Sequence, residues 1–189
     1  MIIWLDGTFG VGKTTIAYSL KDKFGDSAEV LDSDCYEEFH KKDIEKWMEN
    51  PINNDNEKKE IGTLFQNNNS FIKEFKKLIE EKAIKNDKKL IITMALTEIK
   101  CKEALFDCLK KEQKDMIHII LTAEENNIKE RIEKDTNKSR DKHFALEWLK
   151  SNIDFLEKNY PNDIWIKTDN RDIDSIVDEI IKIIESKEK

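Results

Sequence analysis

Gly7-Thr8-Phe9-Gly10-Val11-Gly12-Lys13-Thr14-Thr15 decides the fold, because it carries the full Gly-x-x-x-x-Gly-Lys-Thr spacing of a phosphate-binding P-loop. Upstream, Met1-Ile2-Ile3-Trp4-Leu5 reads as a buried strand, and downstream Ile16-Ala17-Tyr18-Ser19-Leu20 reads as a helix. Strand, loop and helix in that order are the setting the motif requires. Gly7, Gly10 and Gly12 let the main chain turn its N–H groups inward around an anion, with Thr8, Phe9, Val11 and Thr15 completing the cradle. The new helix aims its positive end at the same point. Lys13 would reach the β- and γ-phosphates, and the Thr14 hydroxyl would ligate Mg²⁺. The expected cofactors are therefore ATP and magnesium.

Bulk composition narrows the class. A chain of 189 residues suits one domain, and a domain of that size buries roughly 70% of its extended surface. Charged residues make up 39%, with only two prolines and five glycines, which suits a helix-rich α/β protein with a solvated exterior. The net charge is −7, and no cluster of Lys or Arg escapes its acidic neighbours, so nucleic acid is not an expected partner. No apolar run approaches the ~20 residues of a membrane span, which argues against a membrane partner. Because Met1 already opens a core strand, no leader segment is expected. Cys35, Cys101 and Cys108 are odd in number and lack metal-ligand spacing; they read as reduced, mostly core-filling thiols of a cytoplasmic protein. A monomer or a homodimer is expected.

Five short apolar runs alternate with helical patterns: Ile2 to Leu5, Glu29 to Leu31, Leu90 to Leu96, Met116 to Leu121 and Ile164 to Lys167. That alternation predicts a parallel five-stranded sheet with helices on both faces, the three-layer α/β architecture of P-loop proteins. Ala104, Leu105, Cys108 and Leu109 mark a helix between the third and fourth runs. The last helix carries a stripe of Ile173, Ile176, Val177, Ile180, Ile181 and Ile184, expected to lie on its own sheet. Two segments interrupt the pattern. Residues 35–86 are long, polar and helical and read as an acceptor-binding insertion, and residues 134–143 read as a short charged lid. The core is then 1–34, 87–133 and 144–189 of a single domain.

Strand two ends Val30-Leu31-Asp32-Ser33-Asp34, beside the P-loop, because ligands sit off the carboxyl ends of parallel strands. Asp32 and Asp34, two apart in an extended segment, point the same way. One could serve Mg²⁺ through water and the other could take a proton from an acceptor hydroxyl. A helix cap at Ser33 or Asp34 would explain only one of the pair. Arginine is scarce: only Arg131, Arg140 and Arg171 stand among 33 basic residues. Arg131 and Arg140 fall close together, where a closing lid would bring positive charge to the phosphates. Asp169, in Thr168-Asp169-Asn170, could line the nucleotide pocket, and an N-cap for the last helix explains that triplet equally well. His143 beside Phe144 could stack on a base but also suits a helix start. Asn137-Lys138-Ser139-Arg140-Asp141 is one residue too long for a guanine-reading motif. Trp47, Trp148 and Trp165 read as core. The third strand ends Thr93-Met94-Ala95-Leu96-Thr97 without the carboxylate that motor ATPases and most GTPases place there, which points to a small-molecule kinase.

The opening Met1 to Thr14 closely resembles that of the tunicamycin-resistance (TmrB-like) proteins, and the strand ending at Met94, the segment with Arg131 and Thr168-Asp169-Asn170 match the same pattern. The resemblance spans nearly the whole chain and is strongest at the P-loop. It implies the wider group of P-loop kinases that includes gluconate, shikimate and chloramphenicol kinases. In that group the strand-two aspartates serve metal and acceptor and a lid arginine serves the phosphates; Asp32, Asp34 and Arg140 occupy those places. Tunicamycin resembles a uridine nucleotide sugar, so the resemblance implies a nucleoside-like or amino-sugar acceptor. The chain departs from the group in having no arginine before Arg131. An anionic acceptor could not be gripped bidentately from residues 35–86, where Lys41, Lys42 and Lys46 offer only point charges. A neutral or weakly anionic small molecule with a hydroxyl is expected. Two other readings stay open: a protein that binds ATP and sequesters a nucleoside-like ligand, and a regulatory NTPase.

Overall fold

Ile2–Asp6 forms strand β1, and every residue of it is buried. Its branched and aromatic side chains suit a pleated strand covered on both faces. The computed structural model describes residues 1–33, 66–67, 69–85, 88–112, 115–136 and 141–188. Asp34, Cys35, Lys41, Lys42, Lys46, Trp47 and Arg140 lie outside the described residues. The further strands are β2 (Ala28–Asp32), β3 (Lys89–Thr93), β4 (Met116–Thr122) and β5 (Ile164–Lys167). They form the expected five-stranded sheet, parallel throughout, in the order β2-β3-β1-β4-β5.

Helices cover both faces. Among the described residues they include α1 (Lys13–Phe24), α2 (Asn69–Lys85), α3 (residues 99–112), α4 (Glu125–Lys134), α5 (Lys142–Glu147), α6 (Leu149–Asn159) and α7 (Ile173–Lys187). Helix α3 runs through Ile99–Cys101, a π-helical stretch Lys102–Asp107, and Cys108–Glu112. On one face Ile3, Leu5, Ile91, Ile119 and Leu121 meet Ile16 and Leu20 of α1, Ile128 and Ile132 of α4, and the isoleucine stripe of α7. From Ile176 to Ile184 the stripe thus seals its own sheet, whereas Ile173, in the first turn of α7, is 45% exposed. On the other face Ile2, Trp4, Ile92 and Ile120 meet Phe71, Phe75 and Ile79 of α2 and Cys101, Leu105 and Phe106 of α3. Phe71, Phe75 and Ile79 recur every fourth residue, which puts them on one side of α2. The described end of the 35–86 segment is therefore a core helix along that side.

Beyond one-residue shifts at several strand ends, two boundaries differ from the sequence expectation. Strand β3 stops at Thr93 rather than Leu96, because side chains capture the main-chain groups beyond it. Trp4 Nε1 donates to the Met94 carbonyl at 3.1 Å, Gln66 Nε2 donates to the Ala95 carbonyl at 2.8 Å, and the Leu96 amide donates to Asp6 at 3.1 Å. The cap of α7 is Asp172, whose carboxylate accepts from the Ser175 amide at 2.7 Å. Asp169 is engaged elsewhere.

Candidate active site

The P-loop leaves β1 at Asp6 and enters α1 at Lys13. Gly7 and Gly10 are required there. Gly7 has φ +134°, and a Cβ on it would lie 2.4 Å from the Leu121 carbonyl oxygen. Gly10 has φ +75° and lies against Ile128 and Ile132 of α4. Thr8 and Val11 are buried, so their side chains anchor the loop and their main chain is what faces a ligand. Phe9 meets the ring of Phe144 on α5 edge-on at 5.9 Å, which ties the loop tip to the helix after the 134–143 stretch. Lys13 arches back over the loop, its Nζ donating to the carbonyls of Gly7 at 2.8 Å and Thr8 at 2.9 Å. The first turn of α1 holds no acidic residue and Gly12 gives it no side-chain cap, so its positive end is left for an anion. Thr15 follows on that turn, exposed.

Behind the loop, Thr14 Oγ1 donates to Asp32 Oδ2 at 3.1 Å. Asp32 is buried and stands in register with Thr93 of β3. Ile91, two residues before Thr93, packs in the α1-side core, so the Thr93 side chain faces that side too. Its hydroxyl is buried and has no hydrogen-bond partner in the structure. A threonine hydroxyl, a carboxylate oxygen and an orphaned hydroxyl therefore stand on one face of the sheet at its carboxyl end. These are hard oxygen donors, and Mg²⁺ is held by few protein oxygens together with phosphate and water, so the residues fit that ion. Among the described residues no cluster of three or more His, Cys, Asp or Glu could hold a metal unaided.

Arg131 and Asp169 meet at the far rim. The Arg131 guanidinium donates to Thr168 Oγ1 at 2.9 Å and to the Thr168 carbonyl at 3.0 Å. Asp169 accepts from the Glu124 amide at the start of α4 and from Asn127 Nδ2 at 2.8 Å. Burial pushes the Asp169 carboxyl up, but these hydrogen bonds with Arg131 and Lys167 outweigh it and hold it below its usual value. Both residues thus join α4 to the end of β5. His143 is exposed, just after the α5 cap Asp141, and Trp148 and Trp165 are half-buried.

Sequence reasoning missed a buried network on the opposite face of the sheet. Asp6 Oδ1 accepts from the amides of Gly7 at 2.6 Å and Leu96 at 3.1 Å, while its Oδ2 lies 3.1 Å from His118 Nε2 on β4. His118 Nδ1 lies 2.9 Å from Asp163, which also pairs with Lys110 at 3.1 Å. The only cue was a polar residue in each of two apolar runs. Burial would lower the His118 pKa, but hydrogen bonds to Asp163 and Asp6 outweigh it and raise it. Asp163 is held below its usual value, since the His118 and Lys110 interactions outweigh its burial. By linkage, the stability that a raised histidine contributes is full below its unfolded value of about 6.5 and is lost as pH rises through the folded value. Urea midpoints should therefore fall on going from neutral to alkaline pH, and a His118→Phe variant should lose that slope. An equal slope in both proteins would show that His118 does not titrate with folding.

Residues 3–154 match the family described as AAA domain. No curated protein matches the chain in sequence. Among solved structures the chain is similar to a tunicamycin resistance protein from Deinococcus radiodurans, at 18% identity and a TM-score of 0.67 over 97% of this chain and 94% of that one. It is similar to shikimate kinase from Bacteroides thetaiotaomicron, at 18% identity and a TM-score of 0.58 over 98% of each chain. Deoxyadenosine kinase from M. mycoides, solved with bound dATP, aligns at 16% identity and a TM-score of 0.55 over 98% of this chain and 100% of that one. No described helix is long and apolar enough to cross a membrane. The P-loop between β1 and α1, the parallel sheet around it and the match over residues 3–154 agree: the chain belongs to the AAA domain family, with the α/β P-loop fold that these kinases share.

Proposed function

We propose that this chain transfers the γ-phosphoryl group of ATP to a hydroxyl of a small molecule. The observation that carries the reading is the Thr14–Asp32 hydrogen bond beside the unpartnered Thr93 hydroxyl, at the carboxyl end of the sheet and directly behind the P-loop. In this reading the loop amides and Lys13 hold the triphosphate. Thr14, Asp32 and Thr93 would hold magnesium or its bound water, which would supply neutralisation of phosphate charge. The acceptor oxygen attacks the γ-phosphorus, the bond to the β-phosphate oxygen breaks, and ADP leaves. The hydroxyl proton passes to a carboxylate, a role assigned to Asp34, although the sequence gives Asp32 an equal claim. Arg140 brings positive charge to the transferring group, and Arg131 and Asp169 border the nucleotide.

Because no arginine precedes Arg131, the acceptor is neutral or weakly anionic. The likeness to a tunicamycin resistance protein supports a nucleoside-like or amino-sugar molecule. The test is label transfer from γ-labelled ATP onto a panel of nucleosides, amino sugars and aminoglycosides. The account expects one labelled organic product. ATP binding without any labelled product favours a sequestering protein, and hydrolysis stimulated by a protein partner favours a regulatory NTPase. The metal floor has its own check. Asp32→Asn and Thr93→Val should each weaken Mn²⁺ binding in the presence of ATP by about 10–100-fold, read from water proton relaxation. Unchanged Mn²⁺ affinity in both variants removes them from the metal site.

A further inference from the structure

The side chain of His118 is 1% exposed and carries a carboxylate on each ring nitrogen. A neutral imidazole has one N–H and one lone pair, so it can satisfy one carboxylate but sets its lone pair against the other. Only the imidazolium donates to both. Asp6 is the inner partner, and its two oxygens divide the work. Oδ2 faces His118, while Oδ1 takes the amides of Gly7 and Leu96 together. Gly7 opens the phosphate loop, and Leu96 belongs to the segment beyond β3. One buried oxygen therefore ties the start of the phosphate loop to the segment beyond β3, and its carboxylate is oriented from behind by a histidine.

We propose that His118 is a positioning residue: its imidazolium holds Asp6 in the orientation that pins Gly7 and Leu96, and loss of the ring proton loosens the loop and weakens triphosphate binding. The inference rests on the reading of Gly7–Thr15 as a triphosphate cradle. The groups that face the ring are few. Asp6 comes from β1, and Asp163 from the turn before β5. The Tyr160 ring at the end of α6 lies 4.9 Å away, and the Phe106 ring on α3 lies 4.5 Å away. Around them, Cys101 stands near Asp6 and Tyr160, Lys110 pairs with Asp163, and Lys102 lies over the Tyr160 ring and pairs with Asp107. Burial first, and Asp6 second, push the Cys101 thiol up to about 12 and the Tyr160 phenol higher still. Both therefore resist ionisation at neutral and mildly alkaline pH. The proton has a way out, because a surface hollow of about 250 Å³ lined by Lys102, Phe106, Lys110, Tyr160 and Asp163 opens beside the outer carboxylate.

The experiment follows the His118 ring by NMR and the affinity for MgATP by calorimetry on the same samples. It runs from about pH 7.5 to about pH 10, above the last phosphate ionisation near 6. The parent should hold both ring nitrogens protonated at the lower end. Its MgATP affinity should fall by about 10–100-fold as the ring loses its proton, the range expected for one hydrogen bond to a charged group. His118→Gln keeps a donor for Asp6 without the titration; it should bind MgATP with an affinity that is flat across this range. A parent whose affinity stays level while the ring titrates, or a ring already neutral at pH 7.5, overturns the proposal without touching the nucleotide reading. A parent that binds no MgATP at any pH overturns the nucleotide reading itself. Should His118→Gln fail to fold, the parent titration decides alone.

Discussion

Lys13→Ala is expected to lower phosphoryl transfer by at least about 10²–10³-fold while leaving the protein folded. The Lys13 ammonium is held over the loop by the carbonyls of Gly7 and Thr8, so on the proposed reading it is placed in advance where phosphate charge would arrive. A cation fixed before binding needs no reorganisation as charge moves from the γ-phosphoryl group to the leaving β-phosphate, which is why its removal is felt in the rate. The side chain is only half-buried and belongs to neither hydrophobic cluster, so stability should change by less than about 1 kcal/mol. Turnover from γ-labelled ATP, measured beside a thermal melt, checks both halves. Transfer within a few-fold of the parent would remove Lys13 from the chemistry.

Asp6→Ala carries the largest expected loss of stability. The carboxylate is fully buried and serves two amides and an imidazole ring. Its removal leaves both N–H groups and a buried histidine without their acceptor, and breaking a buried pair from one side typically costs about 3–5 kcal/mol. For a domain of this length that corresponds to a fall in melting temperature of roughly 6–20 °C. Asp6→Asn keeps an oxygen for the Gly7 and Leu96 amides, but its NH₂ group opposes the ring N–H, so an intermediate loss is expected. A melting temperature for Asp6→Ala within about 1 °C of the parent would show that the network adds nothing to stability.

The legible parts of the molecule were those written in local patterns. The P-loop spacing placed Gly7 to Thr15. The apolar runs placed the strands, with small end errors, because a buried strand needs a contiguous stretch of branched residues. The α7 stripe predicted its own burial from Ile176 to Ile184, though not at Ile173, and the position of Asp32 at the end of β2 predicted its place beside the P-loop, where it accepts from Thr14. Contacts across the fold were not legible. Asp6, His118 and Asp163 lie far apart in sequence, and no periodicity links a strand end, a strand middle and a turn. Nor could the sequence show that Trp4 and Asp6 of β1 together with Gln66 would take the main-chain groups of Met94, Ala95 and Leu96 and end β3 early. Asp169 was read as a pocket or cap residue; the structure gives the α7 cap to Asp172 and ties Asp169 to α4. Asp34 and Arg140 lie outside the described residues, and the roles proposed for them rest on the sequence alone.

The central claim is that the loop between β1 and α1 binds the phosphates of ATP. Calorimetric titration of the protein with MgATP tests it most directly. The account predicts saturable heat at one site per chain, abolished by prior saturation with a non-hydrolysable ATP analogue and strongly reduced in Lys13→Ala. No heat of binding in the parent, or identical isotherms for the parent and Lys13→Ala, would contradict it.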